Sequence, residues 1–186
     1  LKIEKLRAML DTGASPVREA LSLLTSDMLV ERLDQRGFRA APASKANFEE
    51  ILMLRCSLED MALRQSIAHA TSEWEERLVL THHRMKKAAS KETSVFEAAH
   101  KDFHMALLDN SKSPMLVKYC SQLYDLNIRY RYLAASSQQY ERRDVSSEHA
   151  DILDAAVLRD ADLAVDRLLT HYRLTGDYLT TRLDNL

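Results

Sequence analysis

The chain has 186 residues, of which 46% are hydrophobic and 29% charged, and its formal net charge is −2. Gly 3 and Pro 3 leave few turn-forming residues, so most of the chain must run as helices with short connections. No apolar run approaches the roughly 20 residues of a membrane span, no secretory signal is visible, and the near-neutral charge confines any nucleic-acid binding to a local patch. Cys56 and Cys120 are expected to be free thiols of a cytoplasmic protein.

Numbering opens at Leu1-Lys2-Ile3, without Met and already inside an apolar pattern, so the true N-terminus is expected upstream. Residues 2 to 11 place Ile3, Leu6, Met9 and Leu10 on one helical face. Thr12-Gly13 breaks the pattern. Ser15-Pro16 then reads as a helix start, with the Ser15 hydroxyl capping an orphan N–H and Pro16 at the first helical position, where its missing N–H had no partner. Val17, Ala20, Leu21 and Leu24 form the stripe of a helix running to about Met28. Leu29–Leu33 and Phe38–Ala41, set around Asp34-Gln35-Arg36-Gly37, read as a β-hairpin.

Two helices joined by a Gly-containing turn and followed by a hairpin make a winged helix-turn-helix. In that arrangement the second helix enters the major groove and the hairpin tip meets the backbone or minor groove. The helix start at Ser15 and Pro16 then favours a phosphate, and Arg18, one turn in, reaches a guanine edge or a phosphate. Arg36 and Gly37 suit the wing tip, and Arg32 and Arg39 add phosphate contacts. The alternative pairs Arg18 with an acidic residue of a neighbouring helix and leaves Gly37 only its turn.

Pro42 to Lys45 read as a linker, and nothing after it looks extended. Helical spacing runs over 47–70, 72–90, 92–109, 113–135, 144–159 and 161–184. The fold class is therefore mostly α: a winged helix-turn-helix domain over 1–43 and an all-α six-helix bundle over 44–186.

The bundle holds all seven histidines. His100 and His104, at i and i+4, share a helix face and can share a metal ion. His149 and His171 lie far down the chain, each on a helix. Spacing alone leaves two readings open: convergence of the four on one ion, or separate hydrogen-bonded core histidines. His69, His82 and His83 read as surface or helix-end residues.

The stretch Ser15-Pro16-Val17-Arg18-Glu19-Ala20-Leu21, then Leu29-Val30-Glu31 and Gln35-Arg36-Gly37-Phe38, resembles the signature of the GntR superfamily of bacterial transcription regulators. The residues after Ala43 resemble the all-helical FCD effector domain of its fatty-acid-regulator (FadR-like) subgroup. Ala14 stands where the family usually has Arg, and the family's first DNA-domain helix is expected upstream of Leu1. The resemblance implies a cytoplasmic, ligand-responsive repressor that binds double-stranded operator DNA as a homodimer, is not an enzyme, and does not engage a membrane.

It also implies a metal site. The family's D-x-x-x-H helix is matched by His100-Lys101-Asp102-Phe103-His104, its E-H-x-x-I-x-x-A segment by Glu148-His149 through Ala155, and its third histidine by His171. His100 takes the place of the family's Asp, so either four histidines hold the ion or three do with His100 loosely placed. An all-imidazole set suits a divalent transition metal, Zn²⁺ or Ni²⁺ ahead of Cu²⁺, over Mg²⁺ or Ca²⁺. The effector implied is a small carboxylic acid, with one carboxylate on the metal and Arg55 as a fork on another; a salt bridge from Arg55 to Glu59 is the competing reading. On the fourth bundle helix Asn127, Tyr130 and Arg131 share a face toward the effector while Arg129 turns away. The pairing of H-x-x-F-H with S-P-V-R-E-A-L also resembles the carbon-starvation branch, which points to a dicarboxylic acid. Two rival readings remain at this point: a helical-bundle metalloenzyme, and a regulator whose Zn site is purely structural.

Overall fold

The computed structural model describes residues 1–34, 36–134 and 144–183. Two compact units emerge, Leu1–Ser44 and Lys45–Leu186. The first contains α1 (Ile3–Leu10), α2 (Ala14–Ser26), β1 (Val30–Leu33) and β2 (Gly37–Ala40). α1 ends on Asp11 in the left-handed region, where a short polar side chain is tolerated. Val17, Leu21 and Val30 form a small core, with Ile3, Leu6 and Phe38 packed against it. Ala20 and Leu24, part of the expected stripe, are exposed.

The helix start differs from the expectation. α2 begins at Ala14, its cap residue is Gly13, and no side chain caps it, so Ser15 and Pro16 sit inside the first turn. Proline is tolerated there because every N–H of the first turn lacks an intrahelical partner, not only that of the first residue. The strands pair antiparallel, Val30 with Ala40 and Leu33 with Gly37, and Gly37 takes φ +90 to close the turn. Gln35 of that turn lies outside the described residues. The hairpin is shorter than expected by Leu29 and Ala41, and the linker by Lys45.

The second unit is α3 (Lys45–Ala68), α4 (Ser72–Ala88), α5 (Thr93–Leu108), α6 (Pro114–Ala134), α7 (Val145–Val157) and α8 (Ala161–Leu183). α3 packs on α5, α6 and α8, while α7 bridges α4 and α8. Thr71 caps α4 by accepting from the Trp74 N–H at 3.2 Å, and Asp144 caps α7 by accepting from Ser147 at 2.9 Å. Residues 135 and 184, expected as helix ends, lie outside the described residues. The core runs through Leu63, Trp74, Leu78, Phe103, Leu107, Ile152 and Leu168, all essentially without solvent exposure. The Trp74 indole N–H donates to the Ala106 carbonyl at 2.8 Å, which satisfies its one polar atom inside that core. At Gly176 a Cβ would stand 2.5 Å from a Leu52 methyl, so the missing side chain lets α8 lie close on α3. No helix among the described residues is long and apolar enough to cross a membrane.

Candidate metal centre

α5 presents Glu97, His100 and His104 at i, i+3 and i+7, one inward stripe of a helix, and all three are buried. α7 brings His149 and α8 brings His171, both buried. The four imidazoles each offer a nitrogen, and these nitrogens lie within 4.8 Å of one another. Nε2 of His104 and Nε2 of His149 are 3.3 Å apart. Two imidazoles on one tetrahedral ion, each bonded at about 2.0–2.1 Å, would hold their nitrogens about 3.4 Å apart.

The hydrogen bonds around the rings decide which nitrogen each can offer. Tyr172 donates its hydroxyl proton to Glu59 Oε2. Its oxygen, 2.9 Å from His104 Nδ1, must then accept from that ring, which leaves His104 Nε2 as a lone pair. His171 Nδ1 lies 2.7 Å from Glu148 Oε2 and donates to it, so in the neutral ring Nε2 is the nitrogen with the lone pair. An acceptor behind the ring, as the Glu148 carboxylate stands behind His171, is the usual outer shell of a metal-binding histidine, and at His104 the Tyr172 oxygen takes that place. Burial, reinforced by Arg131 at His100 and by His149 at His104, holds both rings well below the usual histidine range, and they are neutral at pH 7. Burial, with the Glu59 charge, also keeps the Tyr172 proton in place.

Beside the quartet a small cavity of about 20 Å³, room for roughly one water, opens between α3, α5, α6 and α8. Its polar walls are Arg55, His100, Asn127, Arg131, His171 and Thr175. Arg55 Nε donates to Glu59 at 2.7 Å, with the guanidinium 4.1 Å from the centre of the Tyr172 ring. Burial pulls the Arg55 pKa down, but the Glu59 charge and hydrogen bond outweigh it and keep the cation firmly protonated. Arg55 thus makes the intrahelical salt bridge and lines the cavity as well. Its Nη2, together with Asn127 Oδ1 and Arg131 Nε, is buried with no hydrogen-bond partner among the described residues.

Of the residues singled out from the sequence, His100, His104, His149 and His171 come together, and Arg55, Asn127 and Arg131 come to the same cavity. Tyr130 does not. Its ring packs on Phe48, centroids 5.0 Å apart, and its hydroxyl donates to Asn47 at 2.9 Å, so its contacts with α3 claim it instead. His82, expected as a surface or helix-end residue, lies within α4 and is buried against Phe103. In the first unit Ser15, Pro16 and Arg18 are exposed on α2, and Arg32 and Arg36 are exposed on the hairpin beside Gly37. None of these three arginines forms a salt bridge among the described residues, whereas Arg39 pairs with Glu31 across the strands at 2.7 Å. Sequence reasoning missed Glu97, Tyr124 and the relay role of Tyr172. Glu97 and Tyr172 each carried a signal, one turn before His100 and one residue after His171.

Two family models match: bacterial regulatory proteins of the gntR family over residues 1–39, and the FCD domain over residues 50–174. The HTH-type transcriptional regulator BphR of Paraburkholderia xenovorans (strain LB400) is 35% identical over 178 residues, which cover 92% of this chain and 72% of BphR. The HTH-type transcriptional repressor GlaR of Escherichia coli (strain K12) is 30% identical over 183 residues, which cover 90% of this chain and 82% of GlaR. Among solved structures, E. coli McbR/YncC superposes with a TM-score of 0.84 at 22% identity, over 96% of this chain and 85% of that one, a likeness of fold.

Proposed function

Because the chain belongs to the gntR family of bacterial regulatory proteins and carries the FCD domain, we propose that it is a repressor that leaves its operator when a small organic acid binds beside a metal ion in the helical unit. It is a DNA-binding transcription regulator and not an enzyme, which removes the metalloenzyme reading. The supporting observation is that His104 Nε2 and His149 Nε2 stand 3.3 Å apart in a buried quartet of imidazoles whose nitrogens lie within 4.8 Å of one another. The donor set fits a divalent transition ion, Zn²⁺ or Ni²⁺, since it is imidazole throughout.

A bound ion would supply a Lewis-acid point for one carboxylate. Four neutral imidazoles leave its charge unbalanced, which favours an anion in the next position. Arg55 and Arg131 line the adjoining cavity with buried N–H groups to spare, so they can take the acid's other oxygens as charge-assisted donors. Asn127 offers an acceptor to a hydroxyl or ammonium on the same molecule.

On the DNA side, α2 would enter the major groove with Ser15 and Pro16 at its phosphate-facing start and Arg18 at a base edge or phosphate. Arg32, Arg36 and Gly37 would form the wing. A homodimer reading a pseudo-palindromic site follows from two such heads. The acid displaces DNA only as far as it prefers the released form. Selection of a binding site from random duplex DNA, followed by anisotropy titration with the metal-loaded protein and a panel of small acids, tests the reading. It fails if no acid weakens DNA binding, or if stripping the metal with a chelator leaves the acid response intact. A metal that only supports the fold would show as a lowered melting temperature with unchanged acid affinity.

A further inference from the structure

We infer that Arg131 and a bound metal ion compete for one lone pair on His100, which makes Arg131 a built-in antagonist of the metal centre, with Glu97 deciding how strongly. The inference rests on the metal-centre reading above and adds a residue that tunes it.

Arg131 Nη1 stands 2.7 Å from Nδ1 and 3.0 Å from Nε2 of His100. A guanidinium has donors only, and a neutral imidazole has one lone pair. In either tautomer, the nitrogen that accepts from Arg131 is the one that would bind an ion. Tyr124, whose hydroxyl lies 2.5 Å from His100 Nδ1, does not relieve the competition, because its oxygen can accept as readily as donate. His104 differs: a phenol takes its Nδ1 proton, and Nε2 is left for the ion. The quartet is therefore uneven, with His100 the contested member.

The alternative seat for Arg131 is already built. Its Nη2 donates to Glu97 Oε1 at 3.0 Å. Its Nε and the other Glu97 oxygen, Oε2, are both buried without a partner among the described residues. Those are the two atoms needed to turn a single contact into a parallel two-bond fork. Closing that fork satisfies both orphans, draws Nη1 off the ring and returns the lone pair of His100 to the ion. An anion in the cavity that engages Arg131 would do the same, so ion and anion tighten each other by equal factors.

The test is Zn²⁺ and Ni²⁺ titration of the metal-stripped full chain in competition with a chromophoric chelator. Arg131→Met should bind either ion about tenfold more tightly than the wild type, and Glu97→Gln more weakly, because Arg131 then loses its other seat. In a His100→Ala background the gain from Arg131→Met should vanish. Unchanged or weaker binding by Arg131→Met overturns the inference, as does a gain that persists without His100, which would be plain charge repulsion. Should Arg131→Met not fold, Glu97→Gln/Arg131→Met removes both ends of the buried pair and is held to the same tenfold criterion. A His104→Ala variant that binds metal like the wild type would instead reject the metal centre itself.

Discussion

Replacing Tyr172 by Phe isolates one hydroxyl on which two claims depend. The ring would stay under the Arg55 guanidinium, 4.1 Å from its centre, so packing is retained. What is lost is the bond to Glu59 Oε2 and the bond accepted from His104 Nδ1. Glu59 is fully buried and keeps Arg55 on Oε1, but leaving its Oε2 without a donor costs about 1–3 kcal/mol, with a smaller contribution from the orphaned His104 N–H. A total near 3 kcal/mol lowers the melting temperature of a unit this size by about 10 °C. The second effect is on the ion. Removing an outer-shell partner of a ligating histidine weakens metal binding by about 10–100-fold. Thermal melts of the metal-stripped protein and chelator-competition titrations read the two effects separately. A Tyr172→Phe variant that melts lower but binds Zn²⁺ like the wild type would refute the claim that Tyr172 orients His104 for a metal, and would reduce the Arg55–Glu59–Tyr172–His104 chain to a packing device.

Acidification should destabilise the metal-stripped bundle. His100 and His104 are held below the ordinary histidine pKa, so the unfolded chain binds more protons, and stability present above pH 6.5 is lost as pH falls below it, at roughly 1 kcal/mol per unit for each ring. Urea melts at pH 7 and 5.5 should differ accordingly, and His100→Asn should lessen the slope; a pH-independent midpoint would count against burial of neutral rings. Breaking the Arg55–Glu59 pair from one side, as Arg55→Met or Glu59→Gln, should cost about 3–5 kcal/mol, and removing both charges together much less than the sum, as a double-mutant cycle by denaturation would show. Arg18→Ala should weaken operator binding by about 1–3 kcal/mol in anisotropy titrations; unchanged affinity would remove α2 from the groove.

The helices were legible because apolar residues recur at helical spacing and because Thr71-Ser72 and Pro114 punctuate them. Each bundle helix begins and ends within two residues of its expectation wherever both ends are described. The histidine set was legible only through family likeness, since nothing in local spacing ties His100 and His104 to rings 45 and more positions away. Glu97 was illegible for a different reason: a carboxylate is read as solvent-exposed by default, and its burial follows only from Arg131, which arrives on another helix. Tyr130 and Arg131 show the limit of a wheel drawn on one helix. Both fall on the face assigned to the effector, but the neighbours Asn47 and Phe48, from α3, claim Tyr130. His82 shows the same in reverse, a polar residue drawn inside by Phe103.

The buried ion pairs around the cavity share one feature that bears on how an acid would be sensed. Arg55 uses Nε on Glu59 and leaves Nη2 unpartnered; Arg131 uses Nη2 on Glu97 and leaves Nε unpartnered. Each guanidinium is already dehydrated and already neutralised by a carboxylate on a bundle helix. An incoming carboxylate therefore meets donors whose desolvation was completed when the protein folded, and it need not break either pair to bind. The two pairs also reach the histidine rings by separate routes, through Tyr172 to His104 and directly to His100. An anion held by both arginines would thus act on two metal-facing rings of α5 at once from α3 and α6. That arrangement would give the cavity more influence over an ion than either arginine alone, and on the proposed function an effector with two anionic ends should therefore act more strongly than one with a single carboxylate.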